Sequence, residues 1–534
     1  MKFGLFVILA LLIPCMTFAD KGFDVKVLKQ DESSIQLQFI VKDFQLNNST
    51  INGTSYSIID FQGGIAHNKK GFAELPFISS SIQIDPKSNY MIEVIDNKFE
   101  EIELDYPLLP SRGVIYRNQD PDQIEYIIAA ESITDSWYPQ NLANTSTPFI
   151  LRDIRGLTVF VNPFQYNAQK KLLKVFHSVT ISLTKNRTSS DIQTRFGKKI
   201  SPVMNNLYQS IFINYQAKRG VSLSDFGELL VLYTSRDIKA VEKYIEWKKE
   251  KGITVYSKEV SKGKKVKKTI RNFYESHPNL LYVQLVGDWA DIKSDEGNYS
   301  TGWSSYSAPQ DPMLGLVEGN DKFADLIVGR FSGNSAEKVK IQIEKSINYE
   351  KYPDLEDGSW YKRAIGIASS EGEGKGDDGE SDQRHMEVIR KNRLLKYNYS
   401  SVHQDYHTNG VNHQTVKDHI EDGVGLINYI GHGTTNSWMT SGFNNDDIST
   451  LENGNKLPFI ISVACDNGMF QKSYEVFAEA WLNKLNGGAV ATLMATISQP
   501  WQPPMRGQDY FMDLLIGGYN YNIDPGNGTN IVDK

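Results

Sequence analysis

The residues best suited to chemistry stand at the ends of two short apolar runs. Val424-Gly-Leu-Ile-Asn-Tyr-Ile leads into Gly431-His432-Gly433-Thr434, and Leu457-Pro-Phe-Ile-Ile-Ser-Val-Ala leads into Cys465-Asp466-Asn467-Gly468. A thiol becomes a nucleophile as its thiolate, which needs a base or an imidazolium beside it. Glycine on both sides of His432 lets a substrate backbone come close, and peptide N–H groups at such turns stabilise an oxyanion. The bland alternatives are real. Free cysteine is among the most buried residue types, so Cys465 also reads as an inert filler. A histidine on a tight turn is usually only hydrogen-bonded. What favours chemistry is the pairing of the two tips. No G-x-S-x-G elbow marks a serine hydrolase, and a single mature cysteine excludes a cysteine-rich zinc site.

The elements that must position these tips alternate. Glu228–Tyr233 reads as a strand, Ile238–Lys251 as a helix and Leu280–Asp288 as a strand ending on an acid. Ile327–Arg330, Ala364–Ala368, Val424–Ile430 and Leu457–Ala464 follow as strands, with helical patterns at Ala336–Tyr349, Gln383–Leu395 and Tyr474–Leu485. Short buried strands separated by helices imply a parallel sheet covered on both faces. Reactive groups in such sheets gather beyond the carboxyl ends of the strands. Residues 20 to about 200 read differently, as extended and alternating runs that predict a sandwich or barrel-like β domain. Lys218-Arg219-Gly220 lies at the junction and reads as a linker or a processing point.

The chain has 534 residues and a formal net charge of -7, with 40% hydrophobic and 23% charged residues. That balance is ordinary for a folded α/β protein and supplies no global basic field for nucleic acid or anionic membrane. Met1-Lys2 followed by the apolar Leu5–Phe18 and Thr17-Phe18-Ala19 has the layout of a secretory signal peptide. No other segment is apolar enough to predict a membrane span, so the mature chain is expected outside the cytoplasm. Its cysteines are Cys15, expected to leave with the signal, and Cys465, which then has no disulfide partner.

Tyr429-Ile-Gly-His-Gly together with Ser462-Val-Ala-Cys-Asp-Asn-Gly resembles the gingipain-type cysteine peptidases, relatives of the caspases by fold, over about residues 228–512. Leu157-Thr-Val-Phe-Val-Asn-Pro-Phe-Gln-Tyr-Asn is similar to their prodomain. The resemblance implies a signal peptide at 1–19, a β-rich inhibitory prodomain at 20–219, and an α/β caspase-like catalytic domain. That domain would have a mostly parallel sheet flanked by helices, in subdomains 220–355 and 356–534. It implies a secreted endopeptidase made as a zymogen, acting on protein or peptide substrates through a thioester. His432 and Cys465 would form the dyad, and the N–H groups of Gly433 and Cys465 the oxyanion hole. The acidic, glycine-rich loop Glu371–Asp382 otherwise reads as a solvated turn. By resemblance it carries Glu371 as the partner of His432 and Asp382 in the S1 pocket, with Gln499 lending a carbonyl and Trp501 and Met505 flanking the P1 stem.

Asp382 favours arginine at P1, with lysine the runner-up. In similar enzymes the prodomain offers a basic residue to S1, and Arg112 and Arg117 are the candidates here. The resemblance also implies structural Ca²⁺, held by Asp288, Asp321 and Asp325 with main-chain oxygens of Glu318 and Phe323. Those acids equally read as caps of helices and turns, since no EF-hand loop is present. Similar chains continue beyond the pocket wall, so this one is expected to be a fragment or a divergent short form. Two other readings stay open: a sortase-like transpeptidase using the same dyad, and a non-catalytic, calcium-dependent surface or adhesion module.

Overall fold

The computed structural model describes residues 22–188, 200–216, 227–300 and 305–516. The expected signal peptide and Lys218-Arg219-Gly220 lie outside the described residues.

The N-terminal domain is a sandwich of two antiparallel sheets. One sheet holds Phe23–Gln30, Ser34–Val41, Leu172–Thr188 and Phe164–Asn167, with Ser88–Glu103 also pairing on the long Leu172–Thr188 strand. The other is built on Pro76–Gln83 and Ile154–Val161. Alternation drives the packing. Ile35, Leu37 and Phe39 of one sheet and Ile78, Ile82, Leu157, Val159 and Val161 of the other share a single core. The run from Leu157 to Phe164 therefore divides between two sheets, where the alternation alone suggests one strand. Pro163 stands between the two strands, where a ladder donor is not needed.

The β-rich segment also closes with a helix, Pro202–Ile211, which the sequence reading does not include. Ser201 caps it by accepting the Met204 N–H, and Pro202 begins it. Met204, Tyr208 and Phe212 pack with Phe149, Leu151 and Ile154 and with Leu281 beyond the junction. One apolar cluster thus bridges the two halves of the chain.

From residue 228 all strands of the two main sheets run parallel. The first sheet has the order Thr254–Glu259, Glu228–Tyr233, Leu280–Val286, Ile327–Phe331. The second has the order Ser401–Tyr406, Arg363–Ala368, Leu426–Ile430, Phe459–Val463, Ala491–Met494. The passage from one sheet to the other falls between Phe331 and Arg363. Helices cover both, as a parallel sheet requires. Ala336–Lys351 begins on Ser335, which accepts the Lys338 N–H. Asp382–Ile389 continues into a π-helical stretch, Arg390–Leu394, so the helix expected at Gln383–Leu395 changes its winding midway. The helix expected from Tyr474 starts later, at Phe477, where Glu479 accepts the Val476 N–H. No described helix is long and apolar enough to cross a membrane.

Candidate active site

The Leu426–Ile430 and Phe459–Val463 strands are neighbours, with Ile430 paired to Val463. His432 and Cys465 each follow that pair by the same step, so both tips emerge at one sheet edge. The loops then touch. A Cβ at Gly433 would stand 2.7 Å from the Cys465 carbonyl oxygen and 2.8 Å from the Ala464 Cβ, which only glycine avoids. Asp466 adopts a left-handed φ of 61° and turns the chain directly after the thiol.

Asn467 staples one loop to the other. Its amide donates to the Thr434 and Ser437 carbonyls at 2.6 and 3.0 Å, and its oxygen accepts from Ser462 at 2.9 Å. It is fully buried. Sequence reasoning did not single it out; an asparagine two residues after a strand-tip cysteine was the available signal.

The Cys465 thiol is 4% exposed as a residue and accepts the Gln499 N–H at 3.4 Å. Burial pushes its pKa up; the Gln499 N–H and the Arg117 charge pull the other way. His432 Nε2 lies 2.7 Å from Glu371 Oε2. That contact assigns the other ring nitrogen, Nδ1, to any partner on the thiol side. The His432 ring also stands edge-on to Trp501, 6.3 Å between centroids.

Asp382 begins the Asp382–Ile389 helix, one residue after the N-cap Ser381, where a negative charge suits the helix dipole. It is fully buried and so is its partner, Arg117 of the N-terminal domain. Arg117 Nη1 donates to Asp382 Oδ2 at 2.9 Å and Nη2 to Oδ1 at 2.8 Å. The guanidinium lies 4.2 Å over the Trp501 ring. The main chain beside it is paired too. The Arg117 N–H donates to the Gln499 carbonyl at 2.8 Å, and the Trp501 N–H to the Ile115 carbonyl at 3.1 Å. Tyr116 and Pro500 form an antiparallel bridge. A segment of the N-terminal domain therefore lies along residues 499–501 through a single antiparallel bridge and buries its Arg117 side chain between Asp382 and Trp501.

Arg112 does something else. Its Nη1 donates to the Pro121 and Ile124 carbonyls, and its guanidinium stacks 4.4 Å over Tyr126. It closes the base of the loop whose tip is Arg117. Met505, expected at the pocket face, packs with Ala368, Met386, Tyr406, Ile430 and Val463 in the core beneath the strand tips.

Further contacts hold the N-terminal domain against the Glu371–Asp382 loop and against Arg506. Lys375 pairs with Asp122 at 2.9 Å. Asp378 accepts the Gly63 N–H at 3.0 Å, and Arg506, which clasps Asp377, donates to the Gly64 carbonyl at 3.3 Å.

The acids expected to hold calcium do not assemble into one site. Asp288 follows the carboxyl end of Leu280–Val286, whereas Asp321 and Asp325 precede Ile327–Phe331. Those strands are parallel, with Tyr282 opposite Ile327 and Val286 opposite Phe331, so the acids fall at opposite ends. Asp288 instead exchanges hydrogen bonds with Asp291. Asp325 accepts the N–H groups of Arg152, Val317 and Glu318 at 2.7, 2.9 and 2.8 Å, and Asp321 those of Ile150 and Phe323 at 2.8 and 2.9 Å. Phe323 stacks on Phe149 at 3.9 Å. Backbone donors, two of them from the N-terminal domain, take the place the ion was expected to fill. Among the described residues, no group of three or more His, Cys, Asp or Glu side chains is arranged to hold a metal. The predicted set does not fit Ca²⁺.

The likeness to known proteins extends over most of the chain. Residues 223–527 match the model of peptidase family C25, and residues 18–222 match the C25 propeptide. The chain is 33% identical over 525 residues to gingipain R2 of Porphyromonas gingivalis, covering 93% of this chain and 68% of that one. Against gingipain R1 of the same organism the identity is 31%, over 94% of this chain and 51% of the relative. The crystal structure of the Arg-specific cysteine proteinase gingipain R superposes with a TM-score of 0.52 at 33% identity, covering 59% of this chain and 73% of that one. The complex of the pro- and mature domains of RgpB from P. gingivalis gives a TM-score of 0.51 at 33% identity, covering 57% and 72%.

Proposed function

Since this chain belongs to peptidase family C25 and carries the C25 propeptide, we propose that it is an exported, latent cysteine endopeptidase that hydrolyses peptide bonds after arginine. The observation that carries this reading is Arg117, seated between Asp382 and Trp501 with its backbone paired to residues 499–501. A substrate arginine would enter in the same way. The named gingipain R structure is that of an Arg-specific enzyme, which agrees.

The chemistry follows from the groups at the strand tips. The P1 side chain anchors on Asp382, the P1 N–H donates to the Gln499 carbonyl, and the scissile carbonyl is brought towards Cys465. The thiol gives its proton to His432 Nδ1, the nitrogen not engaged by Glu371. Sulfur attacks the carbonyl carbon, a C–S bond forms, and the carbonyl π pair moves onto oxygen. The N–H groups of Gly433 and Cys465 are the donors for that oxyanion. The pair returns, the C–N bond breaks, and His432 delivers its proton to the leaving amine. Water, deprotonated by the same imidazole, then hydrolyses the thioester and restores the thiol. Glu371 stabilises the imidazolium formed in each half-reaction.

Latency is the other half of the proposal. Beyond Arg117 the chain doubles back. The Gln119 N–H donates to the Tyr116 carbonyl at 2.9 Å, and the Gln119 side-chain oxygen accepts the Tyr116 N–H at 2.9 Å. The Arg117–Asn118 bond thus sits in a tight turn, whereas a substrate runs extended past the thiol. The prodomain presents an arginine without presenting a cleavable bond.

The test uses the processed enzyme and a peptide library varied at P1. Cleavage after arginine is expected, and Cys465→Ala should abolish it while circular dichroism and thermal unfolding remain those of a folded protein. Undiminished hydrolysis by Cys465→Ala would end the assignment.

A further inference from the structure

We propose that Ser369 is a specificity-determining positioning residue, which holds the Asp382 carboxylate edge-on to the pocket and so sets the preference for arginine over lysine. The inference rests on the reading of Asp382 as the pocket anchor. Ser369 is the first residue past the Arg363–Ala368 strand, and its own N–H continues the ladder to the Ile430 carbonyl at 3.1 Å. Its backbone is therefore as fixed as the sheet, and its side chain is buried. The hydroxyl donates to Asp382 Oδ2 at 2.7 Å and accepts the Glu371 N–H at 3.2 Å. The Asp382 N–H donates back to the Glu371 carbonyl at 2.9 Å. A closed ring of hydrogen bonds thus joins the start of the pocket loop to its end.

Arg117 shows what the arrangement accomplishes. Its Nη1 and the Ser369 hydroxyl share one carboxylate oxygen, while Nη2 takes the other. When Arg117 withdraws, Ser369 is the side chain that stays bonded to Asp382 among the described residues. It then holds the rotor that would otherwise turn freely about the Cβ–Cγ bond. A guanidinium fork needs both oxygens coplanar with its two N–H vectors, whereas an ammonium needs only a nearby charge. Fixing the carboxylate plane therefore favours arginine and gives lysine little.

The experiment measures kcat/KM of the processed enzyme on matched peptides differing only in P1 Arg or Lys. For Ser369→Ala the Arg-to-Lys ratio should fall about tenfold, as expected for loss of a hydrogen bond to a charged group. The fall should come through KM for the arginine peptide. Ser369→Thr keeps the hydroxyl and should keep the wild-type ratio. Ser369→Cys preserves the volume while weakening the donor, and carries the same readout should the alanine variant not fold. A general loss of structure lowers both substrates together and leaves the ratio alone, so equal losses overturn the proposal. A wild-type enzyme indifferent to arginine would instead overturn the reading of Asp382; a wild-type preference that persists in Ser369→Ala overturns only the role of Ser369.

Discussion

Replacing Arg117 by alanine in the intact chain tests the latent state directly. Both members of the Arg117–Asp382 pair are fully buried, and two charge-assisted bonds of 2.8 and 2.9 Å join them. Removing one member leaves a buried carboxylate facing an emptied pocket. Such a loss amounts to about 3–5 kcal/mol, less whatever water entering the vacated volume restores. At about 1.4 kcal/mol per factor of ten, the fraction of open sites should rise by about a hundredfold to a few thousandfold. The assay is the initial rate at which a P1-Arg chloromethyl ketone labels Cys465 in the uncleaved chain, with gel electrophoresis confirming that the chain is still whole. The two backbone bonds at residues 115–117 remain in the variant and keep the rate below that of processed enzyme. Arg117→Lys should fall between, since it retains the charge and loses the fork. A labelling rate within about threefold of wild type would refute the reasoning, because the buried pair would then contribute less than its geometry requires.

Two other outcomes follow from the same contacts. Asn467→Ala removes both donors to the His432 loop and strands the Thr434 and Ser437 carbonyls, so stability should drop by about 2–4 kcal/mol in thermal or denaturant unfolding. Hydrolysis of P1-Arg peptides should suffer mainly in kcat, because the staple aligns the tips and does not touch the P1 pocket; an unchanged kcat would show that the tips align without it. Asp378 is pushed up to about 7 by burial and by Asp377, with Arg506 and the Gly63 N–H above it pulling the other way. On opening, the prodomain's share of the burial is lost while Asp377 and Arg506 remain, so in the open form its pKa should lie between the ordinary value of about 4 and that of the closed form. Docking of the prodomain then takes up a proton, so this contribution to closure is complete below about pH 4 and lost as pH rises to about 7. The ratio of labelling rates, wild-type chain to Asp378→Asn, cancels the thiol's own titration. It should rise across that window by at most about tenfold per pH unit and level off above it, and a flat ratio would refute the linkage.

Legibility differed from residue to residue, for physical reasons. Cys465 and His432 stood out because each follows an apolar run and is bounded by glycine or turn residues, a local pattern. Glu371 and Asp382 lie in one loop whose composition suggests only solvation; resemblance, not periodicity, gave them roles. Arg112 and Arg117 were indistinguishable as two basic residues of one segment. Their separate tasks, closing a loop and filling a pocket, depend on carbonyls and a carboxylate supplied from elsewhere. Ser369 and Asn467 passed unnoticed, since a single hydroxyl or amide acquires meaning only from its partners.

The amino-acid sequence alone therefore determined the alternation that makes a parallel sheet, the β sandwich ahead of it, and the two loops on which a thiol and an imidazole are carried. These depend on period, propensity and glycine, all read within a few neighbours. Tertiary structure decided which donor each carboxylate accepts. Asp382 meets a guanidinium, and Asp321 and Asp325 meet backbone N–H groups of a distant segment where an ion had been expected. A carboxylate binds whatever positive or N–H group the fold brings within about 3 Å, and that choice is made by chain segments hundreds of residues away.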